Sequence, residues 1–241
     1  MISFIQLRLV FFLFGLLNII HSLSLMPPTQ IRGIFFDVDG TLSDSWKLGF
    51  DSTQAVMKNA GYDLISEDSY HIGTKYSTPR RFAWHVTGDP EHEIGITLGQ
   101  EFDRLYVDLV SPTTTALYPG IIPMLQKIKS SSNNIKIAAL SNACGAYVSA
   151  VLQVNELNSF FDIGLGADEV PSPKPSPDGL LKLCQLTNTD PLYCIYIGDS
   201  PSDGIAAKAA GMRSIGKELT VYMYFYQLNN HQILHPFLTL S

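Results

Sequence analysis

The sequence predicts an α/β protein, a parallel sheet flanked by helices, with one helical insertion early in the chain. Three observations carry this. Five short apolar runs, Ile31–Phe36, Ile135–Leu140, Phe161–Leu165, Leu192–Ile197 and Met212–Ile215, are bounded by turn residues, as buried strands are. Amphipathic helical patterns separate them, and strands alternating with helices imply parallel pairing through crossovers. The rhythm breaks once, between Leu42 and Tyr118, where helical signals run for about 70 residues without a convincing buried strand.

In chain order, residues 1–25 hold one charge, Arg8, then an apolar run from Leu9 to Ile20, then small residues at Ser22 and Ser24. This is the plan of a secretory signal peptide, and the run is short for a membrane span of roughly 20 apolar residues. It reads equally as an extension upstream of a true start at Met26. The first reading implies the secretory pathway and the second the cytoplasm. In both, residues 1–25 are excluded from the fold, and no stable membrane partner is expected once they are removed.

Residues 26–44 and 118–216 are expected to form the α/β core, and 45–117 the helical insertion. In the insertion, Lys47 to Ala60 reads as a helix stopped by Gly61, and Leu98, Phe102, Leu105 and Leu109 mark one face of another. In the core, Ile121, Leu125 and Ile128 form one helical face, and Val148, Val151 and Leu152 a second. Ser176-Pro177 reads as N-cap and first position of a helix carrying Leu180, Leu181 and Cys184. Pro201 to Ala210 reads as a helix stopped by Gly211. After Gly216 the pattern is lost. Residues 217–241, with the unbroken apolar run Val221–Tyr226, are expected to be an atypical tail contributed by a retained intron or alternative transcript.

The composition excludes some classes. A net charge of -6 argues against a nucleic-acid partner, since phosphate backbones attract basic faces, and fits poorly with an anionic membrane surface. Cys144, Cys184 and Cys194 form no C-x-x-C pair and are odd in number, so they read as reduced buried thiols rather than a disulfide framework or zinc site.

Two acidic clusters follow predicted strands: Asp37-Val38-Asp39-Gly40-Thr41-Leu42, and Gly198-Asp199-Ser200-Pro201-Ser202-Asp203. Ligands of open α/β sheets bind at the carboxyl ends of strands, where strand order reverses. If these two strands are neighbours, four carboxylates converge, and like charges raise each other's pKa unless a hard cation such as Mg²⁺ neutralises them. An EF-hand is excluded, because its sixth and twelfth positions would be Leu42 and Leu48 rather than Gly and Glu. No G-x-x-x-x-G-K-[ST] or G-x-G-x-x-G occurs. Alone, Asp37-x-Asp39 reads as readily as a turn with capping carboxylates. Ser141-Asn142 ends the second strand, where a helix N-terminus can hold an anion, although Ser or Asn there is more commonly an N-cap. Lys174 lies in the proline-rich stretch Pro171–Pro177, either as a solvated lysine or as a cation held rigidly against a phosphate or nucleophile.

Taken in order, D-x-D-G-T-L, S-N, K-P and G-D-S-x-x-D resemble the haloacid dehalogenase superfamily, on its phosphatase branch, over about Ile31 to Gly216. The resemblance is strongest to its phosphoglycolate phosphatase-like group. It implies a Rossmann-like core with the insertion as a helical cap. It also implies an aspartyl-phosphate route with Asp37 as nucleophile and Asp39 as general acid and base. Ser141 and Asn142 would bind substrate phosphate, and Lys174 would steady the phosphoryl charge. Mg²⁺ would be held by Asp37, the Asp39 backbone carbonyl, Asp199 and, directly or through water, Asp203. The substrate would be a small-molecule phosphate ester. A phosphomutase shares these residues and is the nearest enzymatic alternative; a catalytically poor scaffold is the alternative of another class. Within the insertion, Arg80 and Arg81 are candidates to read a carboxylate or second phosphate, although each reads more simply as part of a solvated basic turn. His71, His85 and His92 read as surface or structural. The loop Gly73–Pro79 is a candidate to face the site.

Overall fold

A computed structural model describes residues 31–131 and 134–216. The readings placed on residues 1–25 and 217–241, and the first residues of the expected core, lie outside them. No helix among the described residues is long and apolar enough to cross a membrane.

The five apolar runs are all strands, trimmed at their ends: β1 (Gly33–Phe36), β4 (Lys136–Leu140), β5 (Ile163–Leu165), β6 (Cys194–Ile197) and β7 (Arg213–Ile215). They form one parallel sheet in the order β5-β4-β1-β6-β7. Successive strands step outward one way from β1, then resume on its other side at β6. The reversal therefore falls between β1 and β6, the crevice where α/β sheets take ligands. Register sets the height: Phe36 lies opposite Ala139 and Ile197, so Asp37 leaves the sheet where β4 and β6 also end.

Two strands escape a search for apolar runs, because each has two residues. Ser43–Asp44 (β2) pairs antiparallel with Ala116–Leu117 (β3), and Tyr118 N–H donates to the Leu42 carbonyl at 3.0 Å. This ribbon brings the two ends of the insertion together. Between its strands run α1 (Trp46–Asn59), α2 (Glu67–Gly73), α3 (Thr78–Thr87) and α4 (Ile94–Asp108). The core adds α5 (Ile121–Ser131), α6 (Gly145–Val154), α7 (Asp178–Thr187) and α8 (Pro201–Ala209).

Local chemistry explains several helix ends. Gly61 and Gly211 follow α1 and α8 with φ of 80° and 74°, the left-handed conformation that glycine adopts without penalty. Ser200 and Asp203 form a capping box at the start of α8. Three expectations shift. On α4, Leu109 is the C-cap and is exposed, whereas Tyr106, one turn on from Phe102, is buried. On α7, Leu183 takes the buried place assigned to Leu181, which faces solvent. That helix starts at Asp178, with Pro177 rather than Ser176 at the N-cap.

The sheet separates two apolar layers. One face carries Phe35, Leu140, Leu180, Leu183, Tyr196 and Ala206. The other carries Phe36, Ile137, Tyr147 and Leu125, and continues without a break into Phe82, Leu98 and Phe102 of the inserted helices. Cys184 and Cys194, ten residues apart, meet in the first layer with sulfurs 3.8 Å apart; all three thiols are free and buried.

Within the insertion, α3 and α4 pack closely because Gly95 and Gly99 lie against Pro79. A Cβ at Gly95 would fall well inside van der Waals contact distance of the Pro79 carbonyl oxygen and 2.8 Å from Ala83 Cβ. Alanine is the better helix former by about 1 kcal/mol, but overpacking costs about 1–3 kcal/mol. Gly95→Ala is therefore expected to lower the Tm, by about 2–4 °C for each kcal/mol lost, in thermal unfolding followed by circular dichroism. A Tm equal to or above that of the parent would mean that the helices can separate at no cost.

Candidate active site

Above the crevice between β1 and β6 is a cleft of about 300 Å³. The core lines it with Asp37, Asp39, Ser141, Asn142, Lys174 and Asp199, and the insertion with Trp46, Tyr70, His71, Arg81, Phe102 and Tyr106. All the acids singled out in the sequence except Asp203 border it directly; Asp203 lies just behind, against Lys174.

The turn after β1 is built around Gly40. Its φ is 81°, and a Cβ there would lie 2.5 Å from Asp199 Oδ2, so this position admits only glycine without rearrangement. Leu42 and Ser43 N–H both donate to the Val38 carbonyl, curling the chain so that Asp37 and Asp39 share the cleft floor.

Lys174 is 6% exposed. Its ammonium donates to Asp37 Oδ1 at 2.6 Å, Asp203 Oδ1 at 2.7 Å, Tyr196 Oη at 3.0 Å and the Leu140 carbonyl at 3.3 Å. The solvated-lysine reading is thus wrong: the proline-rich loop delivers this cation to Asp37. Asn142 secures the delivery. Its amide donates to the Lys174 carbonyl and accepts from Lys174 N–H, each at 2.9 Å. Asn142, expected to bind phosphate, borders the cleft, and its side chain holds the lysine loop.

Asp39 points away from that cluster. Its Oδ1 accepts from Tyr147 Oη and Ser45 Oγ, both at 2.5 Å, and from Tyr106 Oη at 3.3 Å; its Oδ2 accepts from Ser141 Oγ at 2.9 Å. The two tyrosine rings stack with centroids 4.1 Å apart. Sequence reasoning missed Ser45, Tyr106 and Tyr147. The signal available for Tyr106 was its place at i+8 from Leu98 through Phe102.

Carboxylate oxygens of Asp37, Asp199 and Asp203 lie within 4.8 Å of one another, close enough to hold one ion; the Asp39 carboxylate is not in this group. Burial pushes Asp37 well above the usual carboxylate range, the neighbouring aspartates add to the rise, and Lys174 opposes it. Asp199 is pushed up to about 6 by burial and by Asp203. Burial would also raise Asp203, but the Lys174 ammonium and hydrogen bonds from Ser200 outweigh it and hold Asp203 below its ordinary value. Burial works against the charge of Lys174, yet Asp37, Tyr196 and Asp203 raise it well above an ordinary lysine. An oxygen-only donor set with excess negative charge fits a hard divalent cation.

The insertion residues separate as well. His92 accepts from Ile94 N–H at an exposed helix start, and Arg80 pairs with Glu91 at the surface. Of the loop 73–79, Thr74, Tyr76 and Thr78 face the cleft. His71 lines it, stacked on Trp46. Arg81 is buried, contrary to the solvated-turn reading.

The family pattern described as haloacid dehalogenase-like hydrolase matches residues 34–217. The chain belongs to that family. Phosphoglycolate phosphatase 1 of Pseudomonas aeruginosa is 30% identical over 191 residues, covering 76% of this chain and 67% of the relative. Phosphoglycolate phosphatase of Pseudomonas putida is 27% identical over 197 residues, covering 80% of this chain and 71% of the relative. Among solved structures, CbbY from Rhodobacter sphaeroides in complex with phosphate superposes with a TM-score of 0.68 at 26% identity, covering 77% of this chain and 85% of the other. This member of the family is a phosphoric monoester hydrolase.

Tyr147 is fully buried, and phenylalanine would keep its volume and its stack on Tyr106 while deleting one hydrogen bond to Asp39. A hydrogen bond to a charged group contributes about 1.5–3 kcal/mol. Tyr147→Phe is expected to lower kcat about tenfold or more, with KM nearly unchanged and an unaltered circular dichroism spectrum. An unchanged kcat would mean that the orientation of Asp39 does not depend on this hydroxyl.

Proposed function

We propose that the protein hydrolyses a small phosphate monoester by a Mg²⁺-dependent, two-step transfer through an aspartyl-phosphate on Asp37. The observation that carries this reading is the Lys174 ammonium shared between Asp37 and Asp203 beneath a cleft that also contains Asp39. With Oδ1 of Asp37 fixed by Lys174, Oδ2 has only a long contact, from Thr41 at 3.4 Å, and is free to attack phosphorus. Asp39 gives a proton to the departing alkoxide, then removes one from the water that opens the acyl-phosphate. Ser141 turns its hydroxyl from Asp39 to a phosphoryl oxygen. Lys174 keeps Asp37 oriented and offsets charge as it develops on the phosphoryl group.

Asp37, Asp199 and Asp203, with the Asp39 backbone carbonyl, would hold the cation. When bound, Mg²⁺ supplies charge neutralisation that lets a phosphate dianion approach a carboxylate. The inserted helices serve as a cap that shields the attack from bulk water. The relatives' names make phosphoglycolate the first substrate to try, and a cleft of about 300 Å³ suits a compact ester rather than a folded phosphoprotein.

Asp37→Asn is expected to abolish phosphate release while leaving the far-ultraviolet circular dichroism intact. Stripping the parent protein with chelator should also abolish release, and Mg²⁺ should restore it. Turnover by Asp37→Asn at the parent rate would exclude Asp37 as nucleophile, and undiminished activity in chelator would exclude the metal.

A further inference from the structure

Cys184 and Cys194 take no part in the site described above. Cys184 stands in the last turn of α7, and Cys194 opens β6 ten positions on. Their sulfurs are 3.8 Å apart, close to van der Waals contact, with Cys184 4% and Cys194 0% exposed. The sheet makes room for them. Gly33 lies opposite Cys194 in the register, and a Cβ there would stand 2.7 Å from Cys194 Sγ. The sulfur fills the space that a side chain on β1 would take. The loop between the two cysteines is tied to both. Thr189 N–H donates to the Cys184 carbonyl at 2.9 Å, and the Cys194 thiol donates to the Asp190 carbonyl at 3.3 Å. Asn188, Asp190 and Leu192 of that loop are exposed. The third thiol, Cys144, belongs to the other apolar layer, across the sheet, where burial and then Asp103 push it up to about 11.

A disulfide holds its sulfurs about 2.05 Å apart, so an approach of roughly 1.8 Å turns this contact into a bond. The two thiols are unequal. Contact with Cys194 holds Cys184 below an ordinary thiol, whereas contact with Cys184, together with burial, holds Cys194 above it. The thiolate is the nucleophile, so Cys184 reacts first. We propose that Cys184 and Cys194 close to an intramolecular disulfide on exposure to hydrogen peroxide, stapling the end of α7 to the start of β6. The Cys184 thiolate attacks one peroxide oxygen and the O–O bond breaks. The departing hydroxide takes the proton that Cys184 gave up, leaving a sulfenic acid and water. The Cys194 sulfur then attacks the Cys184 sulfur, the S–O bond breaks, and hydroxide leaves as water with the Cys194 proton. Two thiols are oxidised by two electrons, and one peroxide is reduced to two waters. Access comes through local opening of the exposed loop above the pair, since surface segments open far more readily than the whole fold. The staple stands clear of the cleft. Asp199 follows the opposite end of β6, and Lys174 precedes the opposite end of α7.

The experiment exposes the folded protein to graded hydrogen peroxide, alkylates the remaining thiols in denaturant and maps the unreduced peptides by mass spectrometry. The expected result is one Cys184–Cys194 bridge, a free Cys144 and reversal by dithiothreitol. The bridged protein should melt about 5–10 °C above the reduced one, as closing a loop of this length implies. Cys184→Ser and Cys194→Ser should each lose both the bridge and the shift, and Cys144→Ser should keep both. Mapping the parent needs no variant to fold. All thiols still alkylatable, at a dose that oxidises the denatured chain, would overturn the proposal. So would a bridge to Cys144, a bridge between two chains, or Cys184 carried to sulfinic acid beside an intact Cys194 thiol. A bridge that leaves the Tm unchanged overturns the stapling role. These readouts do not require phosphate release, so they decide the matter even where the phosphatase reading fails. Where phosphate release is measured, bridging should leave it unchanged. A loss that dithiothreitol restores would overturn the separation of the staple from the cleft.

Discussion

The buried ammonium of Lys174 is the interaction on which the rest of the site depends. It sits between Asp37 and Asp203, two carboxylates that the sheet register would otherwise press together out of water. Deleting one partner of a buried pair typically costs about 3–5 kcal/mol, because a charge is left uncompensated. Here one cation serves two anions, so the lysine cannot be spared without protonating one of them. Much of the surrounding architecture secures this placement. Asn142 holds the lysine's backbone, Tyr196 and the Leu140 carbonyl share its third proton, and the capping box at Ser200 fixes Asp203.

Asp39 obeys a different constraint. Its four hydroxyl donors divide evenly between the core, which gives Ser141 and Tyr147, and the insertion, which gives Ser45 and Tyr106. The continuous apolar layer under the insertion reinforces this link, and the Tyr106–Tyr147 stack spans the boundary directly. Displacing the inserted helices would therefore strip donors from Asp39 while leaving the Lys174 cluster untouched. The Asp37–Lys174 cluster belongs to the core, whereas the surroundings of Asp39 are shared with the insertion.

What the sequence disclosed follows from the range of the forces involved. Strands and helix stops depend on nearest neighbours and on apolar periodicity, so all five sheet strands and the glycine stops at Gly61 and Gly211 were legible. The four acidic positions and Lys174 were legible because their spacing at strand ends recurs as a motif. Long-range choices were not. Nothing in the spacing of Asn142 says that its amide will clasp a loop 32 residues away, and nothing near Tyr147 says that its hydroxyl will meet Asp39 across 108 positions. The two-residue strands β2 and β3 carry too few side chains for any periodicity. The twin arginines show the same limit: Arg80 and Arg81 are indistinguishable by composition, and only helical phase separates a surface ion pair from a buried, unpaired guanidinium.

Charge arithmetic joins these parts. Asp37, Asp39, Asp199 and Asp203 bring four potential negative charges to one crevice, and Lys174 answers one of them. Burial, with the neighbouring carboxylates, displaces Asp37 upward despite Lys174 and Asp199 to about 6, while Asp203, which has both Lys174 and Ser200, moves down. A phosphate ester adds about two more negative charges at neutral pH. Lys174 already faces Asp37 and Asp203, so the approach of a phosphate calls for further positive charge, which under the proposed mechanism a divalent cation at the aspartate cluster would supply.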